Sequence, residues 1–182
     1  MKRDVVDLLQ ADHLVAKQKL AAFPVGPGTV GRDDAFRALV ELLVAHEVAE
    51  EIVVYPAVRE CVPDGGRIAD ARISEQSEAE ELLKEMEDRG VDDAAFDGLL
   101  ARLRDAVLAH AEREEQTAFE PLRTHSSADQ RAEWGEKYEK AKGAAPTHPH
   151  PHAPDGPPGN KILGPIAAMV DKARDAAHRA VA

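Results

Sequence analysis

The 182-residue chain has a single cysteine, Cys61, so no intramolecular disulfide can staple it, and a reducing cytoplasmic setting fits the composition. Aromatic residues are only 4%, while Ala, Leu, Val, Glu and Arg dominate, a mixture that favours helices packed on helices over sheets. Basic residues are in the minority, 23 against 34 acidic, for a net charge of −11 with no basic stripe, which argues against nucleic acid or an anionic membrane as partner. Nowhere do 18 apolar residues run together, and Asp4 and Asp7 interrupt the amino terminus before a signal-length apolar run develops. What is present, 43% hydrophobic and 31% charged residues, is the balance of a soluble globular protein. We expect one all-α domain with an appendage, a monomer or weak homodimer, acting on small molecules.

Apolar residues at Val6, Leu9, Ala16 and Leu20 have helical spacing and predict a first helix from near Asp4 to before Pro24, with His13 in the missing apolar slot. A second stripe, Phe36, Leu39, Leu43, His46, Glu50 and Val53, ends near Pro63. A third runs through Ile73, Gln76, Leu83 and Met86 to Gly90, a helix-terminating glycine. The fourth, capped by Asp92 or Asp93, reads Phe96, Leu99, Leu103, Val107, His110, Glu114 and Thr117 until Pro121. Four such helices with short connections predict an antiparallel up-down-up-down four-helix bundle.

Two of these stripes share a skeleton 64 residues apart: AHEVAEEIVVYP from Ala45 and AHAEREEQTAFEP from Ala109. His46 and Glu50, and again His110 and Glu114, are four apart, so each pair lies on one helical face. With His13 they place five polar groups in apolar rows, where an unpaired charge costs several kcal/mol. Either they form a dry hydrogen-bonded network or they surround metal. Imidazoles with carboxylates in a bundle core suit iron or manganese, and a carboxylate one turn from each imidazole can bridge two ions. Other metal motifs fail on spacing. HEVAE, His46 to Glu50, has Glu where a zincin needs its second His, and Leu43 and Val107 stand where ferritin-like sites need Glu.

The order His13, HEVAE, a third helix, then HAERE, with DLLQADH before and the EExxxYP and EExxxFxP endings, resembles the hemerythrin-like HHE cation-binding family, in its mycobacterial-type branch, over residues 4–123. The resemblance implies a four-helix bundle around two iron ions, oxo- or hydroxo-bridged, that meet oxygen, peroxide or nitric oxide. It makes His13, His46 and His110 terminal ligands and Glu50 and Glu114 bridges. In this family the third helix usually carries a His where this chain has Gln76, and an amide is a poor iron ligand. Either that coordination position stays open or a phenolate fills it. Tyr55, nine residues after His46 as Phe119 is after His110, is the candidate, and that branch is thought to use such a tyrosine. Nine residues on a straight helix fall half a revolution off the ligand face, so Tyr55 needs Pro56 or a π-bulge to reach the site; otherwise it is an aromatic closing the bundle end.

Oxygen-rich donors favour ferric iron, so the resemblance implies redox chemistry, hydrogen peroxide disproportionation or nitric oxide consumption, with no side chain as nucleophile. The alternative is an oxygen or nitric oxide sensor, or an iron-binding carrier, without turnover. Beyond the bundle at 1–125 we expect a short helix at 126–143 carrying Trp134 and Tyr138, an extended and exposed Pro/His-rich linker at 144–160, and an amphipathic C-terminal helix at 161–182. From Lys142 onward there are five basic and three acidic residues, net +2, against net −13 for the 18 basic and 31 acidic residues before it, so the tail has the charge to dock on its own bundle.

Overall fold

Asp4 opens the chain's first helix. In the computed structural model, which describes residues 2–150 and Asp171, its carboxylate accepts from the Val6 amide at 2.9 Å, and α1 follows from Val5–Ala21. A second rod comprises α2 (Arg32–Ala49), a π-helical segment π1 (Glu50–Val54) and α3 (Tyr55–Cys61). The third is α4 (Gly65–Arg89), stopped by Gly90 at φ 81°, where a side chain would be strained. The fourth repeats the second: α5 (Phe96–Glu114), π2 (Glu115–Phe119) and α6 (Glu120–His125). No strand occurs among the described residues, and the four rods form the antiparallel bundle expected from the periodicity.

The apolar stripes pack as two clusters. One gathers Leu20, Phe36, Leu43, Leu83, Phe96 and Leu103; the other gathers Val6, Leu9, Val58, Phe119, Leu122 and Tyr138. The His and Glu rows lie between them along the chain, so the polar layer is sealed above and below by apolar packing. The first cluster is closed by Arg32, only 2% exposed, which donates to the Val91 and Pro24 carbonyls at 2.8 and 3.0 Å and to Asp97 at 2.5 Å while lying over the Phe96 ring. The aspartates expected to cap the fourth helix do other work. Asp92 accepts from the Gly28 amide across the bundle end, and Asp93 turns the chain by accepting from Ala95.

Both π segments end two residues before a proline, Pro56 and Pro121. A proline inside an α-helix has no N–H to give and its ring strikes the carbonyl four residues back, at a cost of about 3 kcal/mol. Here each turn widens instead, and the Tyr55 and Glu120 amides bond five residues back, to the Glu50 and Glu115 carbonyls. Both rods therefore continue past their prolines, where the fourth was expected to stop. The extra residue also moves the inward row on by one. Thr117, expected to face inward, is exposed, and Ala118 and Phe119 are buried in its place.

A fifth helix, α7 (Ala128–Ala144), starts with a Ser127–Gln130 capping box and crosses α1 and α2. Arg131 bridges to Asp4 at 2.6 Å, and Lys2 and Arg3 pair with Glu136 and Glu139. Close approach depends on Gly135, where an added Cβ would lie 2.1 Å from the Arg3 carbonyl oxygen. The following residues are not exposed as expected. Ala145, Pro146 and Pro149 are buried, His148 lies 2.6 Å from Glu87 of α4, and the His150 amide donates to Glu80. Asp171 accepts from the Thr147 and His148 amides. The rest of the linker and the C-terminal helix expected at 161–182 lie outside the described residues, Asp171 excepted.

Gly135→Ala should destabilise the protein by about 1–3 kcal/mol in urea unfolding, because α7 must lift off α1. Gly143→Ala, with open space around it, should be neutral or stabilising by up to about 1 kcal/mol. Equal effects at the two sites would refute the close-approach account.

Candidate metal centre

One helical turn separates His46 from Glu50, and the geometry delivers what that spacing promised: His46 Nε2 lies 3.0 Å from Glu50 Oε1. Its repeat places His110 Nε2 3.3 Å from Glu114 Oε2, and His13, from α1, brings its own Nε2 to 3.4 Å from the same oxygen. His13, His46, Glu50 and Glu114 each offer a ligand atom, all within 4.8 Å of one another, and all four are buried. His110 joins this group through the shared Glu114 oxygen. Tyr55, 1% exposed, lies with its hydroxyl 3.5 Å from Glu50 Oε2. The widened turn of π1 supplies the distortion that a straight helix lacks. Gln76, 3% exposed on α4, donates its amide to Glu50 Oε2 at 2.6 Å.

The outer edge of each imidazole is fully engaged. His13 Nδ1 lies 2.9 Å from Glu115, His110 Nδ1 3.0 Å from Glu75, and His46 Nδ1 2.7 Å from the Tyr138 hydroxyl, which in turn donates to Asp12 at 2.7 Å. A carboxylate only accepts, so the His13 and His110 rings carry a proton on Nδ1, and all three rings turn Nε2 inward. The carboxylates are themselves countered by cations: Glu115 by Lys17, Glu75 by Arg72 and Arg113, Asp12 by Lys142. This layered order, ring then carboxylate then cation, is how metal-ligating histidines are oriented. None of the outer partners was legible as such. Each comes from a different helix than its imidazole, and the i, i+4 rule does not reach across helices.

The inner edge is not satisfied. The Nε2 atoms of His13, His46 and His110, Glu50 Oε1 and both oxygens of Glu114 are buried without a hydrogen-bond partner. A dry structural network would have closed these contacts, since an orphaned buried polar atom costs about 1–3 kcal/mol and a charged one more. The donor set, three imidazoles and two carboxylates turned toward one another, fits a cation. Burial and the neighbouring Glu114 push the Glu50 carboxyl well above its ordinary range. Burial alone would raise Glu114 too, yet His110 and His13 together hold it well below. Burial with Glu114 and Glu50 pushes the Tyr55 phenol well up, so without a cation it stays protonated. Cys61 takes no part: it is half-buried away from the group, and burial with Glu60 raises its thiol.

A cavity abuts the group between the four rods, lined by His13, His46, Gln76 and His110 against Leu43 and Val107. About 30 Å³ of it is open to the centres of water-sized molecules. A single water needs about 10–15 Å³ of such space, so the cavity has room for a small molecule.

A family model described as Hemerythrin HHE cation binding domain matches residues 4–122. An uncharacterized hemerythrin-like protein of Schizosaccharomyces pombe is 32% identical over 134 residues, covering 73% of this chain and 66% of that protein. A DNA nickase of a Nostoc species is 32% identical over 139 residues, 76% of this chain and 39% of that protein. The chain therefore spans less than two thirds of the length of either. A crystal structure of a hemerythrin HHE cation binding domain-containing protein from Mycobacterium kansasii superposes with a TM-score of 0.65 at 19% identity, over 78% of this chain and 88% of that one, which establishes a shared fold. No helix among the described residues is long and apolar enough to cross a membrane.

In metal-free protein, Glu50 is raised, and His110 is raised by Glu114 against the opposing effect of burial. Groups whose folded pKa is raised contribute stability that is complete below the unfolded value and lost as pH climbs through the folded one. Glu114 acts oppositely, but only below its ordinary value in the acid range. The urea midpoint of metal-free protein should therefore fall as pH climbs above the ordinary carboxyl and imidazole values of 4.5 and 6.5. Metal-saturated protein should show no such fall, because ligation requires deprotonated groups. A metal-free midpoint that rises over this range would contradict the buried-acid geometry.

Proposed function

Because the chain belongs to the hemerythrin HHE cation-binding family, we propose that His13, His46, Glu50, His110 and Glu114 hold two iron ions, with Tyr55 as a further oxygen ligand, and that the protein disproportionates hydrogen peroxide or consumes nitric oxide. The observation that carries this reading is the inward row of buried, unpartnered Nε2 and carboxylate atoms. Iron held there would supply redox equivalents and Lewis acidity to a small oxidant.

The residues of this chain do the rest. Glu115, Glu75 and Tyr138 fix the three rings so that no reorientation is needed when metal arrives. Gln76 and Tyr55 both address Glu50 Oε2, leaving Oε1 to face inward beside His46. Gln76, in place of an imidazole, withholds one nitrogen donor, and a donor set rich in oxygen favours the ferric state over reversible oxygen carriage. The cavity beside the group is small and pairs the imidazoles and Gln76 with apolar walls from Leu43, Ala79 and Val107, which suits a small oxidant. Peroxide disproportionation also needs no partner protein. One peroxide is reduced to two waters while a second is oxidised to dioxygen, so electrons balance within the substrate.

Purified protein should contain about two irons per chain and evolve one dioxygen per two peroxides consumed. Glu114→Gln should lose most of its iron. A visible tyrosinate absorption should vanish in Tyr55→Phe; if it persists, Tyr55 is not a ligand. Iron-loaded protein that binds dioxygen or nitric oxide reversibly and leaves peroxide untouched would replace turnover with a sensor or carrier role.

A further inference from the structure

We propose that Tyr138, supplied by α7 outside the family-matched segment 4–122, is a positioning residue that holds His46 as an Nδ1–H imidazole with its Nε2 lone pair turned to the metal centre. The inference rests on the reading above that His46 is a ligand.

The geometry fixes the direction of every bond in the chain. Lys142 Nζ donates to Asp12 Oδ2 at 2.5 Å, and that oxygen also accepts the Tyr138 hydroxyl at 2.7 Å. With its one proton given to Asp12, the Tyr138 oxygen can only accept, so the 2.7 Å contact with His46 must carry the Nδ1 proton. Asp12 cannot do this unaided, since its oxygen lies 3.6 Å from His46 Nδ1, beyond a hydrogen bond. The other two rings differ: Glu115 and Glu75 orient His13 and His110 directly, from within the matched segment.

The construction of α7 points the same way. Of its 17 residues only Gly135 and Tyr138 are buried. The glycine lets the helix touch the Arg3 backbone, and the tyrosine, 1% exposed, reaches through to the imidazole. Ion pairs from Lys2, Arg3 and Arg131 clamp the helix at that depth. Trp134 and Ala141, about one turn to either side, are only partly buried where they pack against the apolar cluster, so Tyr138 is the residue of α7 that carries a polar group to full depth.

The test uses the full chain with Tyr138→Phe, Asp12→Ala and the double variant. In metal-free protein, at a pH where the ring is neutral, long-range nitrogen–proton correlation spectra read the His46 tautomer. Wild type should be predominantly Nδ1–H, and Tyr138→Phe should shift population to Nε2–H. Anaerobic titration with ferrous ion against a competing chelator should show about 10–100-fold weaker binding in Tyr138→Phe. The double variant should lose no more than the worse single one, because the three groups act as one chain. An unchanged tautomer and unchanged ferrous affinity would overturn the proposal. So would a drop in melting temperature that is identical with and without ferrous ion, since that marks packing alone. Should Tyr138→Phe fail to fold, Asp12→Ala leaves the ring in place and carries the same readouts. If wild type binds no ferrous ion but the tautomer shifts as stated, the metal reading fails while the orienting role of Tyr138 stands.

Discussion

Two carboxylates with no exposed surface, Glu50 and Glu114, govern this molecule. Taking a carboxylate out of water costs several kcal/mol even after relaxation, and two facing one another cost more. The bundle does not neutralise them with lysine or arginine. It brings imidazoles to them from three rods and turns each Nε2 inward. The apolar clusters on either side keep that layer dry, and the outer carboxylates keep the rings from rotating. Everything from the capping of α1 to the docking of α7 serves to hold these side chains in register. The chain belongs to a cation-binding family, and the inner edge of the layer has the donors of a metal site.

Much of this was legible in the sequence because the chemistry is written at helical spacing. His13, His46, Glu50, His110 and Glu114 interrupt apolar rows, and those rows alone carry the four-helix reading. What escaped was anything set by contact between rods. Asp12 and Glu115 sit one residue from His13 and Glu114 and look like ordinary surface charge. Glu75 reads as one of many acids on α4, and Tyr138 as an aromatic on a peripheral helix. Arg32 closes the bundle end from a position that looks like a solvent-exposed first turn. Tail residues 145–150 were read as exposed because proline composition speaks to stiffness, whereas the acidic side chains of α4 decide where the segment lies.

The π segments show a half-legible feature. Pro121 was read as a helix end and Pro56 as a distortion within a helix, and both helices continue through their prolines. The His-Glu pairs repeat at 64 residues but the prolines repeat at 65, and the widened turns follow the prolines. The two halves are therefore out of step by one residue beyond the His-Glu pairs. Tyr55 is the first residue after its widened turn and reaches Glu50, while Phe119 is the last residue within its own and stacks on the His13 ring. One phenol and one phenyl at matched sequence positions thus meet different sides of the same layer, and no helical wheel drawn at 100° per residue could assign either.

The layered arrangement ends in water. Lys17 and Arg113, with side chains 39% and 49% exposed, and Lys142 at 26%, are the outermost members of the chains that lead inward to His13, His110 and His46. Dissolved ions screen such groups over a Debye length of about 8 Å at physiological ionic strength. Added salt therefore weakens the outermost ion pairs first, while the inner imidazole and carboxylate contacts, being buried, are screened much less.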